Sequence, residues 1–172
     1  MSKKIIAGNW KQNGNIKMGI KLACDIIREI KKNNIKHEVI IFPPSLYLLS
    51  IQKNNQKETI NIGSQNVSAY NDGAFTGEIS ATMLKDSKIK YCLVGHSERR
   101  HIFNEDEKLL SEKVSRLHEN NIKVIYCIGE SLKEYKAKKT KYTLKKQLRS
   151  LFDNLNKSRK VNRVIIAYEP VW

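Results

Sequence analysis

The sequence has no apolar run near the ~20 residues that cross a bilayer, and its first stretch, Met1 to Asn9, holds too short an apolar segment for a signal-peptide core. A membrane partner is therefore not expected, and a cytoplasmic location is the default. Cysteine is scarce. Cys24, Cys92 and Cys127 are odd in number, widely spaced and without a CxxC pair, so neither a disulfide framework nor a zinc site is indicated. Cys92 and Cys127 fall inside apolar runs and read as small hydrophobes. No cluster of Asp and Glu suggests a metal and no cofactor fingerprint is present, so neither is expected. Acidic residues are few, 17 against 32 Lys and Arg, for a net charge of +15. That sign attracts nucleic acid, but the bases are mostly Lys scattered among Asn-rich stretches. The densest run, Lys133 to Lys146, reads as a basic helix face. No nucleic-acid partner is expected; the milder reading is a positive field that gathers an anionic substrate.

What is present is alternation. A chain of 172 residues, 40% hydrophobic and 28% charged, is long enough for one domain with a real core, and no linker or low-complexity segment divides it. Short Ile- and Val-rich runs near 4–9, 37–42, 59–64, 89–95, 122–128 and 163–169 predict strands buried on both faces. Between them lie helical patterns. Ile16, Ile20, Ala23, Ile27 and Ile30 share one face over 16–32. A helix over 45–54 starts at Ser45 as N-cap, after Pro43-Pro44. A short one is expected near 78–86. Another over 105–119 follows Asn104, with Glu107 completing a capping-box variant. Residues 131–155 hold one long helix or two shorter ones, with Leu144, Leu148, Leu151 and Leu155 as a core stripe. Strict βα alternation implies a parallel sheet with right-handed crossovers. A doubly wound sheet and a (β/α) barrel both fit that pattern. Polar clusters ending the first, fourth and sixth strands favour the barrel, where such residues converge at one mouth.

The clusters contain chemistry for proton abstraction beside a carbonyl. Glu169, at the end of Val164-Ile165-Ile166-Ala167, suits a general base. His96 suits a hydrogen-bond donor to a carbonyl oxygen or a proton shuttle. Lys11 offers a cation to an anion, and Asn9 an amide to a developing oxyanion. Taken singly, each has a plainer reading: a structural hydrogen-bonder, a solvated carboxylate or a surface charge. Glu98-Arg99-Arg100 also reads as a local ion-pair cluster.

The stretches Ala7-Gly8-Asn9-Trp10-Lys11, Gly63-Ser64-Gln65-Asn66-Val67-Ser68, Gly73-Ala74-Phe75-Thr76-Gly77-Glu78-Ile79-Ser80, Val94-Gly95-His96-Ser97-Glu98-Arg99-Arg100, Cys127-Ile128-Gly129-Glu130 and Ala167-Tyr168-Glu169-Pro170-Val171-Trp172 resemble the triosephosphate isomerase family, in family order over the whole length. The resemblance implies an α/β TIM (β/α)8 barrel. It also implies interconversion of dihydroxyacetone phosphate and D-glyceraldehyde 3-phosphate in glycolysis and gluconeogenesis, with a small phosphorylated triose as substrate. By the same resemblance Glu169 matches the base and His96 the imidazole that polarises the carbonyl; Lys11 and Asn9 bind substrate. Ser97 and Glu98 lie behind them, at a helix start whose N–H groups favour a neutral ring. This family is itself the standing example of a base and a neutral imidazole tuned by their surroundings, so that logic is carried over with the resemblance. Glu98 matches a carboxylate near the lysine; a structural ion pair with Arg99 or Arg100 is the alternative. The loop Gln65 to Glu78 has Gly73 and Gly77 for tight turns and an apolar tip at Ala74-Phe75; the resemblance implies that Phe75 and Thr76 meet a second subunit, in a homodimer when the protein is intact.

A full barrel needs roughly 250 residues, and six strands with five helical segments are counted here. The expectation is a single, incomplete barrel domain over 1–172, truncated after strand six. Such a fragment would lack lid and phosphate loops and be inactive alone. At Lys138 the family commonly has Gly, a departure that bears on a helix junction. Two other readings stand beside this one: a different phosphosugar barrel enzyme, and a basic binding module derived from the enzyme without activity.

Overall fold

The computed structural model describes residues 4–158 and 163–172. Six strands form one parallel sheet in sequential order: β1 (Ile5–Asn9), β2 (Glu38–Phe42), β3 (Asn61–Ser64), β4 (Tyr91–Val94), β5 (Lys123–Ile128) and β6 (Val164–Tyr168). Each lies inside its predicted apolar run. The helices are α1 (Ile16–Lys32), α2 (Leu48–Asn54), α3 (Ala81–Asp86), α4 (Ser97–His101), α5 (Glu107–Glu119), α6 (Leu132–Lys136) and α7 (Thr140–Ser158).

The sheet curls. Neighbouring strands lie ~4.8 Å apart, so β1 and β4 would be ~14 Å apart in a flat sheet. Yet Lys11, just past β1, reaches Glu98, just past β4, at 2.9 Å. Alternation along the strands then sorts two cores. Ile40, Phe42, Tyr91, Leu93 and Ile125 pack together on the concave side, with Cys127, Ile165 and Ala167 against them. Ile41, Ile62, Cys92, Val94, Val124, Tyr126 and Ile128 face the helix layer and meet Ile51, Leu110, Val114, Leu117 and Leu151. β3 contributes Gly63 to the concave side because the Phe42 ring lies across it: a Cβ at Gly63 would sit 2.1 Å from that ring. The arrangement is that of a partial (β/α) barrel. Its lower end is closed by polar contacts. The Tyr91 hydroxyl donates to Glu38 Oε1, Asn61 Nδ2 donates to the same oxygen at 2.9 Å, and Lys123 Nζ donates to the Tyr91 hydroxyl at 3.0 Å.

Several helix boundaries differ from expectation for local reasons. Ser45 is not an N-cap; Ser45–Tyr47 form a 3₁₀ turn flanked by Pro44, and α2 begins after it. α3 starts at Ala81, with Ser80 accepting from the Met83 N–H. α5 is capped by Asp106, which accepts from the Leu109 N–H, and not by an Asn104–Glu107 pair. The capping box belongs to α6, between Ser131 and Glu134. The 131–155 segment is two helices, separated at Lys138, whose φ is +58°. On α1, Ala23 and Ile30 are buried while Ile16 is about half exposed. On α7, Leu151 is buried; the Leu155 side chain lies outside the described residues.

Candidate active site

The upper, C-terminal ends of the strands carry a polar cleft of about 950 Å³, lined by Asn9, Lys11, Ser64, Gln65, His96 and Glu98 among others. Lys11 has a φ of +52°, a left-handed conformation that costs a non-glycine residue about 1–2 kcal/mol. Two side chains hold it there. Asn9 Oδ1 accepts from the Lys11 N–H at 2.9 Å, and Gln65 Nε2 donates to the Lys11 carbonyl at 2.9 Å and to the Phe42 carbonyl at 2.7 Å. Backbone strain fixed in this way aims the lysine across the mouth. With its oxygen engaged, the Asn9 amide offers its NH₂ end to the cleft.

Lys11 Nζ pairs with Glu98 Oε1 at 2.9 Å. The hydrogen bond to Glu98, and then its charge, push the Lys11 pKa above the ordinary lysine value, with a further contribution from Glu169. The same hydrogen bond holds the Glu98 carboxyl below its usual range. Glu98 pairs with neither neighbouring arginine: Arg99 donates to Glu105 at 2.5 Å and Arg100 to Glu107 at 2.5 Å. Glu105 also takes the buried Lys113 ammonium at 2.5 Å, and Lys113 reaches Asn66 Oδ1 at 2.7 Å.

His96 sits at the N-cap of α4, where its Nδ1 accepts from the Glu98 N–H at 3.4 Å. An accepting nitrogen carries no proton, so the ring that makes this bond has its proton on Nε2. Glu98 Oε2 lies 3.3 Å from the same nitrogen and would favour a proton there instead.

Glu169 follows β6. Its N–H donates to the Ile128 carbonyl at 2.9 Å, extending the β5–β6 ladder past Tyr168. Beside it, Gly129 allows a close approach: a Cβ at 129 would lie 1.9 Å from the Glu169 carbonyl oxygen. Gln147 on α7 clamps Gly129 from the other side, accepting from its N–H at 3.0 Å and donating to its carbonyl at 2.9 Å. Glu169, His96 and Ser97 line one small cavity, of about 20 Å³, between the ends of β4, β5 and β6. The Tyr168 hydroxyl contacts both oxygens of Glu130, which is buried. Burial pushes the Cys127 thiol up to about 11, so it is no nucleophile at neutral pH.

Phe75 and Thr76 lie away from this cluster, on the exposed loop. The Phe75 ring stacks on Tyr70 with centroids 4.4 Å apart. Gly77 takes a φ of +90°, as a tight turn requires; Gly73 does not adopt the left-handed region. Sequence reasoning did not find the roles of Gln65, Arg100 and Gln147 in holding the strand ends. They act across 54, 27 and 18 positions of chain, and no local spacing signals such contacts.

A family model for triosephosphate isomerase matches residues 4–172. The chain belongs to the triosephosphate isomerase family. It is 42% identical over 172 residues to a triosephosphate isomerase of Alkaliphilus oremlandii, covering 100% of this chain and 68% of the relative. It is 40% identical over 169 residues to that of Francisella tularensis subsp. holarctica, covering 98% of this chain and 66% of the relative. Against that of Buchnera aphidicola, identity is 41% over 175 residues, covering 100% and 67%. The chain thus spans about two thirds of the length of the family members it matches. Among the described residues no group of His, Cys, Asp and Glu is placed to hold a metal ion, and no helix is long and apolar enough to cross a membrane.

Proposed function

We propose that the protein interconverts dihydroxyacetone phosphate and D-glyceraldehyde 3-phosphate through an enediolate. The observation that carries this reading is the convergence at one mouth of a carboxylate from β6, an imidazole from β4 and an ammonium from β1. Glu169 takes a proton from the carbon beside the carbonyl. The electron pair left behind forms the carbon–carbon double bond, and the former carbonyl oxygen becomes the enediolate oxyanion. His96, with a proton on Nε2, donates a hydrogen bond to that oxygen, and the Asn9 amide does the same from the cleft wall. Glu169 returns the proton to the neighbouring carbon, and a proton exchange between the two oxygens completes the isomerisation. Lys11 keeps its charge over the whole physiological range and faces the phosphorylated substrate; the protein's positive field gathers that substrate rather than nucleic acid. Because the chain spans about two thirds of its relatives, the activity is proposed for the whole protein, working in the cytoplasm as a homodimer. The exposed Tyr70–Phe75 stack and Thr76 supply the loop contact with a second copy.

The test is an isomerisation assay of the whole protein with glyceraldehyde 3-phosphate. His96→Gln is expected to lower kcat by at least about 10²-fold while leaving the melting temperature nearly unchanged. Wild-type kcat in that variant would sink the reading.

A further inference from the structure

His96 and Glu169 must be held in register for the proton transfer. They stand on different strands, and the β4–β5 ladder runs only to Val94 and Tyr126. Beyond it Gly95 turns away with a φ of +76°. One side chain spans the gap. Arg100 on α4 donates from Nε to the Gly95 carbonyl at 2.7 Å and from Nη2 to the Cys127 carbonyl at 3.1 Å. Its Nη1 is held by Glu107 Oε1 at 2.5 Å, and its guanidinium carbon lies 5.4 Å from the centre of the Tyr126 ring. The side chain is only 8% exposed. Gly95 makes room for it: a Cβ there would lie 2.8 Å from Nη2 and 3.1 Å from the Cys127 carbonyl oxygen.

One gripped carbonyl adjoins His96, and the other is linked to Glu169 through Ile128. The Gly95 carbonyl belongs to the peptide that carries the His96 nitrogen. The Cys127 carbonyl precedes Ile128, whose own carbonyl accepts the Glu169 N–H at 2.9 Å. A planar guanidinium with fixed donor directions suits two carbonyls and a carboxylate at once; a flexible ammonium does not. We infer that Arg100 is a positioning residue that sets the distance between His96 and Glu169 by replacing the missing rung between β4 and β5. Glu107 and Tyr126 hold the guanidinium, which is bonded to backbone and carboxylate at the wall of the small cavity it shares with His96 and Glu169. This inference rests on the isomerase reading.

Arg100→Lys in the whole protein is expected to lower kcat about 100-fold, the penalty typical of a misplaced catalytic pair. KM should change little, since Asn9 and Lys11 are untouched. Glu107→Gln keeps an acceptor but removes its charge, and should lower kcat about tenfold. Free guanidinium added to Arg100→Ala should restore part of the lost kcat. A wild-type kcat in Arg100→Lys, or in Glu107→Gln if the lysine variant does not fold, overturns the inference while the isomerase reading stands. If the wild-type protein shows no isomerase activity, that reading falls, and the positioning role is read from the NMR shifts of the His96 ring. Those shifts should move between wild type and Arg100→Lys, or Glu107→Gln in its place; unmoved shifts overturn the inference.

Discussion

At the residue scale the site is held mainly by backbone contacts. Lys11 is fixed through its own N–H and carbonyl, and Glu169 through its N–H, with Gly129 pressed against the Glu169 carbonyl. Gly129 has two neighbours that cannot yield together: the Glu169 backbone on one side and the Gln147 clamp on the other. A single methyl there must displace one of them. The clamp consists of two hydrogen bonds to a buried amide, so the strand end bearing Glu169 is the softer side. Gly129→Ala is therefore expected to lower kcat in the whole protein by about 10²-fold, the scale of a 1 Å misplacement. It should destabilise the fold by about 1–3 kcal/mol, the usual cost of overpacking. Urea melts and steady-state kinetics on the same sample check it. A variant that loses stability but keeps kcat would show that Glu169 is positioned by other contacts.

At the element scale, the strands and most helix stops were legible: helices end at Lys32, Asn54, Asp86 and Glu119, where the sequence pattern ends them, whereas several helix starts and the break at Lys138 were not legible. Parallel strands covered on both faces read as continuous apolar runs, and all six appear within the predicted ones. The order alone fitted a doubly wound sheet as well as a barrel; the polar residues at the strand ends, Asn9, Lys11, His96 and Glu169 among them, favoured the curl. The break at Lys138 carried no glycine signal, because the left-handed positions beyond the helices are filled by other residues. Asn34 after α1, Lys88 after α3, Asn121 after α5 and Lys138 after α6 all have positive φ. Asparagine tolerates that region through local hydrogen bonding; lysine has no such help. At Lys138 the backbone already makes the helix-ending bonds, with the Lys138 N–H donating to the Tyr135 carbonyl and the Lys139 N–H to that of Glu134. A glycine keeps both and removes the Cβ clash. The relief of about 1–2 kcal/mol exceeds the entropy penalty of about 0.5–1 kcal/mol. Lys138→Gly should raise stability by about 0.5–1 kcal/mol and the melting temperature by roughly 2 °C, with kcat unchanged. A lower melting temperature would mean that the lysine stem contributes packing that outweighs its strain.

At the scale of the whole molecule, apolar surface at the sheet margins competes with net charge. Among the described residues β1 pairs only with β2, and β6 only with β5. Beside β1, Ile5 and Ile6 are 42% and 51% exposed, and Met18 and Leu22 line a groove of about 490 Å³ with Trp10 and Gly19. At the other margin Ile166, Tyr168, Val171 and Trp172 are each two fifths or more exposed. Unpaired apolar strands of this kind template further pairing. The charge of +15 acts the other way, since copies of one sign repel. Salt separates the two effects: the Debye length falls from about 30 Å at 0.01 M to about 8 Å at 0.15 M, while burial of apolar surface is not weakened. A polypeptide of residues 1–172 alone should therefore sediment as a monomer at low ionic strength and self-associate as salt rises, the reverse of assembly by ion pairs. Ile6→Lys places a charge on the β1 edge and should suppress the association at 0.15 M salt. Phe75→Asp, on the exposed loop and outside the sheet's edge strands, should not. Association that weakens with salt, or is abolished by Phe75→Asp alone, would shift the contact from the sheet edges to the loop.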